Sequence, residues 1–341
     1  MTGLWAASER QGTYVLSGQP VADGWDAQLW YSNDARLWQL AALPDQPHID
    51  RIHAIAPTGN GFAALGLELN DTEFLTHALI STDGLAWKVA GSYPGVGSDL
   101  AEIDGRLLAF NNDNSKSDPV YSDDDGITWH VVSSPSGLVV ADGLLALYET
   151  EDYLWALRSD DPTEDARIKT PIELWRTTDG LDWSEVVELP DSMAASKAEI
   201  ASGPLGWVIT ARRATFTDYE LSNEWSAWSS ADGLVWRPAV SAPQYVDQIL
   251  ADDQGFIAIG RDPGKCCVLE ESNVRQNIWT SADGRSWHQM SQQGWHGREI
   301  DYLTSVGTQL EGVGIDWKFW PSRDSVGWGV AWEANRSDLL P

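Results

Sequence analysis

Three apolar runs in the chain end on arginine: Leu154-Trp155-Ala156-Leu157-Arg158, Val208-Ile209-Thr210-Ala211-Arg212 and Ile257-Ala258-Ile259-Gly260-Arg261. A guanidinium presents forked donors suited to carboxylate, sulfate or phosphate. If the three runs are equivalent in the fold, the arginines cluster and bind an anion. If each pairs with a neighbouring acid (Asp160, Asp218 or Asp262), they brace loops instead. A second set is acidic: Asp50, Asp99, Asp142, Asp247 and Asp301, with Glu199, each stand near the start of a β-prone run. Carboxylates brought together repel unless protons, arginines or a cation neutralise them. No cofactor is expected; the arginines are the nearest neutralisers, with Ca²⁺, which takes oxygen ligands, as the alternative at the channel mouth. Alternatively each bonds neighbouring backbone N–H groups. Two of them, drawn from Asp99, Asp247 and Asp301, would serve as general acid and base at a glycosidic bond. Trp295, Trp317 and Trp320 fall in apparent loops and offer rings on which sugars stack. The six histidines form no H-E-x-x-H or H-x-x-E-H pattern, and no glycine-rich nucleotide loop leads into a helix. The only cysteines, Cys266 and Cys267, are adjacent. They make no disulfide framework and are too few for structural zinc, so they read as ordinary thiols, with a vicinal disulfide as the alternative.

What positions these residues is a repeat. Ser32 to Trp38 reads SNDARLW, Ser81 to Trp87 STDGLAW and Ser122 to Trp129 SDDDGITW. Thr177 to Trp183 reads TTDGLDW, Ser230 to Trp236 SADGLVW and Ser281 to Trp287 SADGRSW. Recurrence at this spacing signals an array of similar supersecondary units. Asp-Gly between β-prone runs predicts a tight primed hairpin turn with positive φ at its centre. The Ser or Thr and the Asp can bond the turn's backbone. A second hairpin lies upstream of each phrase, as in Arg51–Ala56 returning through Phe62–Gly66. Each unit is therefore four strands, A to D, and such units set radially make a β-propeller. The chain predicts one all-β domain, 1–341, of seven four-stranded antiparallel blades. Their bounds are roughly 1–42, 43–91, 92–134, 135–188, 189–240, 241–291 and 292–341. The seventh rests on Val330–Asn335, a worn copy of Ile278–Asp283. Each blade reads as contiguous, with closure by an N-terminal strand as the open alternative.

The phrases resemble the Asp-box, or bacterial neuraminidase repeat, of sialidase-like propellers, whose form is S-x-D-x-G-x-x-W. Ser122, Asp124, Gly126 and Trp129 match at full spacing. Four phrases omit one residue, and the first has Ala35 in place of Gly. The resemblance implies that Asp34, Asp83, Asp124, Asp179, Asp232 and Asp283 are structural and lie on C–D turns, on the face opposite the active site. It does not carry sialidase catalytic residues across, because the first blade has no Arg-Ile-Pro element. Xyloglucanases, sortilin-type receptors and photosystem assembly factors share the repeat, so fold alone does not choose a function.

The long irregular segments, Ser159–Ile172, Arg213–Glu224, Arg261–Asn277 and Asp316–Ser325, read as B–C loops at the channel mouth, where function concentrates. The expected ligand-binding set is Arg158, Arg212, Arg261, Trp295, Trp317 and Trp320. The first functional expectation is a non-enzymatic, monomeric module presenting this mouth to a glycan, peptide or protein. The alternative is a carbohydrate-active enzyme, a sialidase-like hydrolase or a lyase, acting on an acidic sugar. With 22 basic against 51 acidic residues, a net of −29, no basic stripe exists to neutralise nucleic-acid phosphates or meet an anionic membrane. No apolar stretch is long enough to insert in a bilayer. No signal peptide is visible, and an extracellular or periplasmic setting would follow if one had been removed.

Overall fold

The structure, a computed structural model, describes residues 4–18, 27–69, 74–111, 119–132, 143–159, 171–192, 195–217, 220–262, 275–290, 300–306, 309–315 and 328–335. Trp295, Trp317, Trp320, Cys266, Cys267 and Asp142 lie outside the described residues, as do most of the long segments named above.

Each turn phrase closes the outer hairpin of one four-stranded antiparallel sheet. Blade one runs Leu4–Arg10, Thr13–Gly18, Gln28–Ser32 and Gln39–Leu40. Blades two, three and four follow over 51–94, 97–131 and 144–188. Blade five runs Lys197–Gly203, Gly206–Thr217, Glu220–Ser230 and Trp236–Pro238. Blade six runs Val246–Asp252, Gly255–Asp262, Arg275–Ser281 and His288–Gln289. Every blade is contiguous, and Leu4–Arg10 is the inner strand of blade one.

Second strands are apolar on both faces because both are covered. Residues Phe62 to Leu67 are all buried. In blade four Leu154 and Ala156 pack toward blade three, whereas Trp155 and Leu157 pack toward blade five. Blade five repeats the pattern, Ile209 and Ala211 facing back and Val208 facing blade six. The cores are thus the seams between sheets, and each second strand feeds two of them.

The expectation of seven four-stranded blades is corrected. Six blades are complete. The last sheet, Tyr302–Val306, Gln309–Ile315 and Trp328–Asn335, has three strands among the described residues. No turn phrase follows Trp287, and Val330–Asn335 pairs along its length with the strand Gln309–Ile315, with no outer strand beside it among the described residues. This sheet stands between blades six and one. Leu303 and Leu310 pack with Ile257, Ile259 and Ile278, and Val313 packs with Tyr14, Leu16 and Trp30. Arg36, in the first turn phrase, locks the second contact. It meets the fully buried Glu311 at 2.6 Å and Glu333 at 3.2 Å, and donates to Gln309 Oε1 at 3.2 Å. Burial pushes the Glu311 carboxyl up and the Arg36 guanidinium pulls it back.

The turns are not primed two-residue hairpins. In phrase five, Asp232 Oδ1 accepts from Leu234 N, Val235 N and Ser230 Oγ, while Trp236 Nε1 donates to Gly233 O. The same Ser/Thr–Asp and Trp bonds recur in all six phrases. The carboxylate, not a backbone pair, holds the bend, so positive φ is needed mainly after it. Gly180 (φ 76°) is typical, and a Cβ there would collide with Leu108 of blade three. Ala35 (φ 56°) bears the strain in phrase one, fully buried beside the terminal sheet.

The predicted loop Arg213–Glu224 is largely strand. Arg213 pairs with Glu224, and the ladder continues to Thr217 opposite Glu220. Its alternating β-prone residues extend the hairpin of blade five well beyond its neighbours.

Gly180→Ala should therefore cost about 1–3 kcal/mol, the usual range for overpacking, with some positive-φ strain added. Chemical denaturation of the variant beside the wild type measures it. The phrases also set the acid response. Hydrogen bonds from Thr128 and Ser122 hold the Asp124 carboxyl down to about 2, and backbone donors lower Asp83 and Asp232. A carboxyl lowered on folding stabilises the fold above its unfolded pKa, and that stabilisation is lost as pH falls through the folded value. The part of the melting temperature that these turns supply should hardly change between pH 7 and 5, then fall steeply from about pH 4 toward 2. The triple variant with Asn at 83, 124 and 232 should lose most of that slope.

Candidate functional site

Register decides what each strand-end residue faces. Along the second strands, Leu154, Trp207 and Phe256 sit opposite the Ser or Thr of their own turn phrases. Arg158 is four residues beyond that point, whereas Arg212 and Arg261 are five beyond theirs. An offset of one flips a side chain to the other face. Arg158 therefore follows Leu154 and Ala156 toward blade three, and Arg212 follows Val208 toward blade six. Arg158 Nη1 donates to Glu173 Oε2 at 2.9 Å on the adjoining strand. Arg261 shares Arg212's register position by its backbone; its side chain is not described. The arginines do not form one cluster. Two share a position in successive blades, and the third points the other way and is paired.

The acidic residues also occupy different rungs. Asp99 and Glu199 are equivalent, opposite Phe110 and Thr210. Asp247 is the extra residue of a bulge between Val246 and Gln248. Asp50 lies before its strand and accepts from Leu69 N at 2.7 Å. Asp301 also precedes its strand, its N–H donating to Val313 O. Burial raises the Asp99 carboxyl, and Ser98 Oγ donates to it at 2.9 Å. Glu149, pushed up to about 7 by burial and by Glu102, lies at the opposite, A–B turn end of its strand.

Two of these acids come together at the seam of blades five and six. Lys197 Nζ stands 3.7 Å from Glu199 Oε1 and 2.9 Å from Asp247 Oδ1. The three side chains are 28–35% exposed, so they are enclosed yet open to solvent. Burial lifts the Glu199 carboxyl to about 7. The Lys197 ammonium pulls it down, and Asp247 pushes it up. Near neutral pH one carboxyl thus keeps a proton beside another held against an ammonium. Environments that differ in this way are how paired carboxyls acquire distinct acid and base roles. No group of three or more metal-binding side chains is found among the described residues. Lys197 takes the place a cation would hold between Glu199 and Asp247.

Beside the acids lies a cross-strand row. Lys197, Arg212 and Trp225 are directly opposite one another on the first three strands of blade five. Trp225 packs into the core shared with blade six, its ring 6.0 Å from that of Tyr245. Tyr245 has φ 57°, a strained value for an aromatic residue. Its carbonyl presses on blade six so closely that a Cβ at Gly260 would run into it.

No protein-family model matches the chain, and no curated protein matches it. Solved structures do. YjhT superposes with TM-score 0.53 at 10% identity, over 84% of this chain and 96% of YjhT. A puromycin hydrolase gives 0.51 at 12% identity, over 92% of this chain and 50% of the hydrolase. The Niastella koreensis GH74 enzyme gives 0.50 at 13%, over 84% and 45% respectively. The likeness is one of fold. The chain is a β-propeller, and its chemistry has to be read from its own side chains.

Sequence reasoning singled out Asp247, Glu199 and Arg212 but passed over Lys197, Thr210 and Trp225. The available signal was period two. Lys197 and Glu199 alternate around Ala198, and Thr210 and Arg212 around Ala211, placing polar residues on one face of otherwise apolar strands.

Lys197→Met should leave only burial and Asp247 acting on Glu199, both raising its pKa. A carboxyl raised on folding destabilises the fold as pH climbs through its folded value. The variant should therefore lose more melting temperature at pH 8.5 than at pH 5.5, as paired thermal melts would measure.

Proposed function

We propose that this chain is an Asp-box-type propeller that cleaves glycosidic bonds at the seam of blades five and six. Glu199 is the acid and Asp247 the base. What carries the proposal is the pair of carboxyls flanking Lys197, one of them raised by burial to about 7. Contacts of 3.7 and 2.9 Å to one ammonium keep them no farther apart than the glycosidase range of about 5–10 Å. Glu199 gives its proton to the glycosidic oxygen as the bond to the anomeric carbon breaks. Asp247 takes a proton from the water whose oxygen bonds that carbon. One water is consumed and both carboxyls exchange roles, to be reset by solvent. Solved enzymes of similar fold, including the GH74 one, make such chemistry compatible with the scaffold but do not locate it. The seam favours cleavage over simple binding because a purely adhesive surface has no need of a carboxyl that keeps its proton near pH 7.

Glu199→Gln should lower turnover on a cleaved oligosaccharide by about 10²–10⁴-fold with little change in KM. Asp247→Asn should do comparable damage. Because the acid must be protonated, the wild-type rate should fall as pH rises through about 7. Unaltered turnover in both variants, or no cleavage across a broad oligosaccharide panel, would leave binding as the better account.

A further inference from the structure

The same seam carries more donors than its acids use. Thr210, fully buried and directly opposite Glu199, has a hydroxyl with no partner among the described residues. It lies on the face that follows Val208 toward blade six. The Trp225 indole N–H is likewise buried without a partner among the described residues. The Arg212 guanidinium contacts only Ser196 Oγ, at 3.3 Å, and no carboxylate pairs with it among the described residues. Arg212 also faces Lys197 across the ladder, and like charges directly opposite destabilise a sheet. Beside it, Trp225 and Tyr245 set two rings at 6.0 Å and 55°, and the strained Tyr245 backbone marks a place where fold stability yields to position.

A seam with orphan donors, a free fork and an aromatic wall calls for a ligand rich in acceptors, with a flat face and one negative charge. We propose that Arg212, Trp225 and Thr210 form a subsite for a hexuronate ring, the carboxylate on Arg212 and the ring against Trp225. This deepens the glycoside-cleaving proposal, on which the choice of a sugar rests, and supplies a substrate class. A single fork suffices, so the divergence of Arg158 does not count against it.

The test uses the full chain carrying Glu199→Gln, which binds without turning over. Titration calorimetry compares trigalacturonate and triglucuronate with galactotriose. At least one uronate should bind on the order of ten- to hundredfold more tightly than the neutral sugar. Adding Arg212→Gln should erase that preference while leaving neutral binding and the melting temperature nearly unchanged. Trp225→Ala should weaken all three sugars. Should Arg212→Gln fail to fold, Arg212→Lys, which keeps the charge but not the fork, should still lose most of the preference. Equal binding of charged and neutral sugars, binding of none, or a preference that survives loss of Arg212 overturns the subsite. Cleavage of neutral sugars alone by the wild type would overturn it and leave the acid–base proposal standing. Arg212-dependent uronate binding with no cleavage by the wild type would do the reverse.

Discussion

One carboxylate oxygen organises each blade. In every turn phrase the Asp Oδ1 accepts from the preceding Ser or Thr hydroxyl and from one or two N–H groups of the bend, while the closing Trp Nε1 returns to the bend's carbonyl. That fixes where the fourth strand begins and buries the indole. It also places a small residue flat against the preceding blade, as with Gly180 on Leu108. Linkers then bond to these turns. Ala42 exchanges hydrogen bonds with Leu85 and Trp87 of the next blade, and Val240 donates to Arg285. Blade spacing, and with it the geometry of every seam, depends on a bend held by a side chain.

The seams are where function can enter. Most are filled with Leu, Ile, Val and Trp, which leaves no room for chemistry. The seam of blades five and six is filled inward but carries Lys197, Glu199, Asp247 and Arg212 toward its solvent end, with the buried Thr210 behind them. The same period-two rule that buries Val208 turns Lys197, Glu199, Thr210 and Arg212 toward the gap, and a bulge brings Asp247 to them. Glu199, Lys197 and Trp225 thus continue a packing interface between strands, and Tyr245 joins them from the segment just before Val246.

Much of the fold was legible, because six phrases and the hairpins between them repeat at nearly constant spacing. The seventh unit was over-read. Val330–Asn335 matches Ile278–Asp283 in composition but has no Asp-Gly bend, and composition without the bend yields only another strand. Arg213–Glu224 read as a loop because it interrupts blade spacing, yet its residues alternate as a strand should. The arginine trio was read as equivalent from strand ends alone. Aligning strand ends ignores register, and the single-residue difference between Arg158 and Arg212 reverses the face. Asp247 and Glu199 were visible as strand-start acids. Their partner Lys197 was not, because an ion pair between blades depends on a bulge at Asp247 that no local pattern announces.

The contact of Arg36 with Glu311 spans 275 residues of sequence, whereas Lys197 and Asp247 are only 50 apart. Loop-closure entropy grows only as the logarithm of the span, so closing the ring costs roughly 1.5 kcal/mol more than joining neighbouring blades. A single guanidinium set among Glu311, Glu333 and Gln309, together with the packing of Val313 on Tyr14 and Leu16, is placed to offset that difference. The ring's longest-range junction is therefore governed by chain statistics hardly harsher than those of its other seams. New connections joining blade one to the terminal sheet, or chain ends relocated to another turn, would shift the entropy of the unfolded chain by a comparably small amount.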